Sequence, residues 1–124
     1  MARILVVEDS EGARQMVSRL LEMDGYETVC VSNGVEALES LAQGPPADLI
    51  LLDVMMPEMD GLTFLSQIRE NPTWKRLPVI MMTARLDAET QDRATVLGAT
   101  DYLVKARFTA DEMLKHIKRQ LPPI

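Results

Sequence analysis

The chain is poor in several residue types that build functional sites. Its 124 residues include one cysteine, Cys30, and one histidine, His116. A single thiol excludes an intrachain disulfide. Lys and Arg number 13 against 19 Asp and Glu, for a net charge of −6. The basic clusters that neutralise phosphates are missing, so direct nucleic-acid binding is not expected. No apolar run approaches the roughly 18–20 residues that span a bilayer, and no membrane partner is expected. Met1-Ala2-Arg3-Ile4 leads straight into a strand-like run, without a signal-peptide layout. These features predict a reducing, cytoplasmic setting. Cys30 reads as a small buried hydrophobe.

What is present is a core. Apolar residues make up 47% of the chain, enough for one compact domain. Ile4-Leu5-Val6-Val7 ends at Glu8-Asp9, Leu49-Ile50-Leu51-Leu52 at Asp53, and Val79-Ile80-Met81-Met82 at Thr83. Continuous apolar runs of this length, bounded by polar and turn residues, fit strands buried on both faces. Thr28-Val29-Cys30-Val31 is less apolar and reads as an edge strand, and Asp101-Tyr102-Leu103-Val104 ends at Lys105.

Helical periodicity fills the intervals. The first helix runs from about Glu11 to Asp24 with Ala13, Met16, Val17, Leu20 and Leu21 inward, and Gly25 ends it. Asn33 and Glu36 form a capping box for a second helix reaching about Gln43, with Val35, Ala37, Leu38 and Leu41 inward. Asp60 caps a third, from Gly61 to about Glu70, with Leu62, Leu65 and Ile68 inward. Asp87 opens a fourth that closes near Gly98. Only Ala94 and Leu97 are convincing inward positions there, so this helix is expected to be the least firmly anchored. Thr109 and Glu112 cap a fifth, with Met113, Leu114, Ile117 and Leu121 inward. Five strand–helix alternations predict an α/β fold: a parallel sheet, right-handed crossovers and helices on both faces. Five units are too few for the eight-stranded barrel, which leaves an open doubly wound sheet.

A parallel sheet brings all its carboxyl ends to one edge, where ligands bind. Glu8, Asp9, Asp53, Thr83 and Lys105 would then face one another. Three clustered carboxylates repel unless a cation sits among them. Oxygen donors without a neighbouring His or second Cys favour a hard ion such as Mg²⁺. A carboxylate can accept a phosphoryl group as an aspartyl phosphate. A metal, an ammonium and a hydroxyl would stabilise the charge on its equatorial oxygens. This assigns Asp53 as acceptor, Glu8 and Asp9 as metal holders, and Lys105 and Thr83 as oxygen ligands.

With these residues in order, the sequence resembles a receiver domain of a bacterial two-component response regulator, of the chemotaxis-regulator type. The matching blocks are Ile4–Ser10, Leu51–Gly61, Pro78–Ala84 and Gly98–Lys105. The resemblance implies a single flavodoxin-like, five-stranded sheet of order 2-1-3-4-5 with five helices. The receiver domain would span residues 1–121, with 122–124 a tail or the start of a linker. The resemblance also implies a metal contact through the Met55 backbone carbonyl and a phosphoryl pocket at Ala84. Thr83 and Tyr102 would form a coupled switch. Mg²⁺ or Mn²⁺ is the implied cofactor. The implied partners are a sensor histidine kinase or phosphotransfer protein, and a downstream effector or fused output domain. Met55 and Arg85 stand at positions that tune dephosphorylation in this family.

One departure is plain. The family usually has a cis proline after the lysine, whereas this chain has Lys105-Ala106-Arg107-Phe108. A cis bond before Ala106 would cost about 2.5–4 kcal/mol, so a trans bond or a strained cis one is expected. The Lys-x-x-Phe spacing resembles receivers attached to chemotaxis-type kinases.

Three other readings compete. A phosphatase of the Asp-x-Asp type would need an acid where Met55 stands. A flavin or nucleotide carrier would need a Gly-rich phosphate loop, but Glu8-Asp9-Ser10-Glu11-Gly12 follows the first strand. A phosphorylation-independent binding module is favoured by the missing proline and opposed by the intact acidic set. His116 has no partner at ligand spacing and reads as a surface or helix-end residue. Trp74, Lys75 and Arg76 read as a solvated connection, and Glu36 and Glu39 as a solvated helix face.

Overall fold

The all-apolar runs become the centre of a five-stranded parallel sheet in a computed structural model that describes residues 2–53, 61–83, 88–104 and 109–121. The strands are β1 (Arg3–Val7), β2 (Glu27–Val31), β3 (Leu49–Asp53), β4 (Val79–Thr83) and β5 (Asp101–Val104). Between and after them lie α1 (Glu11–Met23), α2 (Gly34–Gln43), α3 (Gly61–Glu70), α4 (Ala88–Leu97) and α5 (Ala110–Gln120). The strand order is β2-β1-β3-β4-β5, the doubly wound order the resemblance implied, with the least apolar strand, β2, at an edge.

Alternation along each strand feeds two cores. Ile4, Val6, Leu49, Leu51, Ile80, Met82 and Leu103 pack with Val17 and Leu21 of α1 and with Met113 and Ile117 of α5. Leu5, Val7, Ile50, Leu52, Val79 and Met81 pack with Ala37 of α2, the apolar face of α3, and Ala94 of α4. A strand covered on both sides must be apolar at every position, which explains the runs. Each buried Leu, Ile or Val contributes about 1.5–3 kcal/mol relative to exposure.

Local signals set the helix ends. The Ser10, Asn33 and Thr109 side chains each accept a backbone N–H in the first turn of the following helix. The Glu36 carboxylate accepts in turn from the backbone N–H and hydroxyl of Ser32. These bonds hold its pKa below the ordinary carboxylate value. Gly25 takes a φ of 94°, the left-handed conformation that ends α1. Asp60 and Asp87, expected caps of α3 and α4, lie outside the described residues.

Several expected positions differ. Met16 is 60% exposed, because the buried stripe of α1 is centred on Val17 and Leu21 and Met16 falls beyond the covered arc. Val35 is also exposed. It stands two residues from the buried Ala37, about 200° away around the helix, so both cannot face the sheet. Cys30 is exposed rather than buried. It lies on edge strand β2 and opens onto a groove lined by Arg14, Ser18 and Arg19 of α1. Trp74 is not a solvated loop residue but is partly buried against the core. With Leu41, Pro46, Ala47 and Leu77 it lines a cavity of about 220 Å³. His116 does have an acidic partner: its Nδ1 meets Asp101 Oδ2 at the start of β5. No helix among the described residues is long and apolar enough to cross a membrane.

Candidate functional site

The carboxyl ends of β1 and β3 bring the acidic residues together. Residues 4–7 of β1 pair with residues 49–52 of β3, one for one. Glu8 therefore leaves β1 level with Asp53, the last residue of β3. Glu8 and Asp53 are 1% and 3% exposed, and Asp9 is exposed. One carboxylate oxygen from each of Glu8, Asp9 and Asp53 lies within 4.8 Å of the others. Glu8 and Asp53 form the buried part of this cluster and Asp9 its exposed rim.

A divalent ion fits this donor set. Mg²⁺ binds oxygens at about 2.1 Å, which places opposite ligands about 4.2 Å apart. A spread of at most 4.8 Å needs only a small inward shift of the exposed Asp9. The donors are all oxygens, the choice of a hard cation. Among the described residues this is the single cluster of three or more metal-ligating side chains.

Neighbouring groups hold the β1–α1 loop in place. Glu8 N–H donates to Val31 O at 3.1 Å, tying the loop to β2. Ser10 N–H donates to Glu8 Oε1 at 3.2 Å. Arg14, one turn into α1, donates Nη1 to the backbone carbonyls of Glu8 at 2.8 Å and Asp9 at 3.0 Å. Sequence reasoning missed Arg14. Its signal was a lone cation in the first turn of α1, where the helix dipole favours anions.

The remaining predicted residues divide into two groups. Thr83 closes β4, its backbone paired with Val104 of β5, so β4 ends beside β3 and β5 ends beside β4, along the same edge as expected. Tyr102 is half-buried and packs against the core beneath α3 and α4. Its hydroxyl is buried and has no hydrogen-bond partner among the described residues. Met55, Ala84, Arg85, Lys105 and the Lys105–Ala106 bond lie outside the described residues.

Comparison with known proteins agrees with this geometry. The family model for the response regulator receiver domain matches residues 4–118. The chain is 42% identical over 119 residues to the regulatory protein AtoC of Escherichia coli; the match covers 96% of this chain and 25% of AtoC, so the chain spans a quarter of that relative's length. The chemotaxis response regulator CheY4 of Vibrio cholerae superposes with a TM-score of 0.89 at 39% identity, covering 98% of this chain and 99% of that one. The Mn²⁺-bound form of response regulator Rcp1 superposes with a TM-score of 0.84 at 30% identity, covering 95% and 92% of the two chains. With the fold, the strand-end acids and these relatives in agreement, the chain belongs to the receiver domain family of response regulators.

Proposed function

We propose that Asp53 is the phosphoryl acceptor of a signalling switch charged by a sensor histidine kinase or phosphotransfer protein. The observation that supports this reading most is the convergence of Glu8, Asp9 and Asp53 on one oxygen-lined pocket at the sheet's carboxyl edge. In the forward step an Asp53 carboxylate oxygen attacks phosphorus. The new O–P bond forms as the P–N bond of a phosphohistidine breaks, and the imidazole leaves. A bound divalent ion supplies positive charge against the phosphoryl oxygens and relieves carboxylate repulsion. Glu8, Asp9, Asp53 and the Met55 carbonyl would hold it. Mg²⁺ is the proposed resident, and Rcp1's binding of Mn²⁺ is consistent with this class of ion. Lys105, Thr83 and Ala84 are the residues proposed to receive the phosphoryl oxygens. Water later hydrolyses the acyl phosphate slowly. The chain acts on its own aspartate rather than turning over an external substrate.

Thr83 and Tyr102 transmit the change to a downstream effector or fused output domain in the cytoplasm. The switch unit is residues 1–121, and residues 122–124 are a tail or the start of a linker. The test is a mass measurement after incubation with acetyl phosphate and Mg²⁺. Wild type should gain one phosphoryl group, and Asp53→Asn should gain none. A wild type that stays unmodified, or an Asp53→Asn variant modified equally, would overturn the assignment.

A further inference from the structure

Asp9 is the exposed member of the acidic cluster, and an exposed side chain on a loop has the most freedom to lose when a cation binds. Arg14 limits that freedom from α1. Its Nη1 carries two N–H groups and donates to Glu8 O at 2.8 Å and to Asp9 O at 3.0 Å. Those carbonyls belong to the two peptide planes that flank the Asp9 Cα. A peptide unit is planar, so fixing both carbonyls fixes φ and ψ of Asp9 and the direction of its Cα–Cβ bond. Only the side-chain torsions of Asp9 are then left to search.

The same clamp reaches Glu8. The plane that ends in Asp9 O carries the Ser10 N–H on its opposite edge, and that N–H donates to Glu8 Oε1 at 3.2 Å. Holding one edge of the plane aims the donor that steadies the Glu8 carboxylate. Arg14 is itself seated by its own N–H, which donates to Ser10 O at 2.9 Å, and Ser10 caps the helix through the Ala13 N–H. The guanidinium acts on a bound cation in two opposite ways. Its charge repels the ion, and its ordering of two ligands favours it. The charge is half-exposed and screened by solvent. Outer-shell groups that orient metal ligands are worth about 10–100-fold in affinity, so ordering is the larger effect.

We propose that Arg14 is a positioning residue of the acidic pocket, raising its affinity for a divalent cation by fixing the backbone on both sides of Asp9. It acts on the ligands through the loop rather than on the ion. This role deepens the reading of the pocket as a cation site, given above, and rests on it.

Mn²⁺ titration of the metal-free chain, read by the electron paramagnetic resonance signal of the free ion, tests this role without any phosphodonor. Arg14→Met keeps an apolar stem but removes every donor and the charge, and should weaken Mn²⁺ binding about tenfold. Arg19→Met removes an exposed charge of the same sign further along α1, and should stay within about twofold of wild type. Amide exchange at Val17 and Leu21, on the buried face of α1, should be unchanged in both variants and reports that the helix is intact. If Arg14→Met loosens that face, Arg14→Lys is read instead. It keeps the charge, but its single nitrogen falls one bond short of Nη1, and binding should still weaken about threefold. Unchanged or tighter binding in the variant so read would overturn the proposal, and tighter binding would show that charge outweighs ordering. An equal loss in Arg19→Met would overturn it too. A wild type that binds no Mn²⁺ would remove the cation site and this role with it. Equal binding by wild type and a folded Arg14→Met removes the clamp alone and leaves the site standing.

Discussion

α4 and α5 flank the same strand and are built in opposite ways. α5 is capped by Thr109, carries Asp111 and Glu112 in its first turn and Lys118 and Arg119 in its last, and buries Met113 and Ile117 completely. Cap, dipole and core all favour one position. α4 lacks a basic residue in its last turn, buries Ala94, and leaves Val96 85% exposed. The polar groups of β5 repeat the contrast. Asp101 pairs with His116 of α5, while the next residue, Tyr102, turns to the other face with a buried hydroxyl that lacks a partner among the described residues. The α5 side of β5 is thus satisfied and the α4 side is not. A domain can hold a rigid scaffold and a movable element on adjacent helices by distributing caps and buried area unequally.

The largest expected effect tests that contrast in energy. Ile117→Ala removes fully buried volume from α5 and should cost about 2–5 kcal/mol in urea unfolding. Val96→Ala on α4 should stay within about 0.5 kcal/mol of wild type. Comparable losses in the two variants would erase the distinction. Next in size is the α5 cap. The Thr109 hydroxyl accepts Glu112 N–H at 3.2 Å. Thr109→Ala should lower stability by about 1 kcal/mol in the same measurement, with the unfolding slope unchanged. A neutral result would mean that α5 is held by its apolar face alone.

Much of this was legible in the sequence, and the limits have physical causes. The apolar runs ending in charged or hydroxyl residues carried the sheet, its parallel sense and the meeting of Glu8, Asp9 and Asp53. Burial on both faces leaves no other pattern open, and parallel strands share one carboxyl edge. The thin apolar face of α4 was legible for the same reason. Met16 was misread because periodicity assigns a side but not the width of the covered strip, and Cys30 because the usual burial of a free thiol says nothing of a place on an edge strand. The Asp101–His116 pair was missed because 15 positions separate its members and no local spacing links them. Arg14 binds backbone carbonyls, and a carbonyl acceptor leaves no mark on residue type.

Tyr102 gives the smallest effect and one of opposite sign. Its ring packs into the core shared by α3 and α4, on the strand register that sets it opposite Met81. A buried hydroxyl without a partner costs folding energy that its ring does not need to incur. Tyr102→Phe keeps the ring and removes the oxygen. Urea unfolding should therefore show no loss, or a gain of up to about 1 kcal/mol. The equivalent deletion on the α5 side, His116→Ala, removes one member of a satisfied pair and should destabilise. A clear loss in Tyr102→Phe would show that the hydroxyl is bonded, and the asymmetry between the two sides of β5 would then rest on the helices alone.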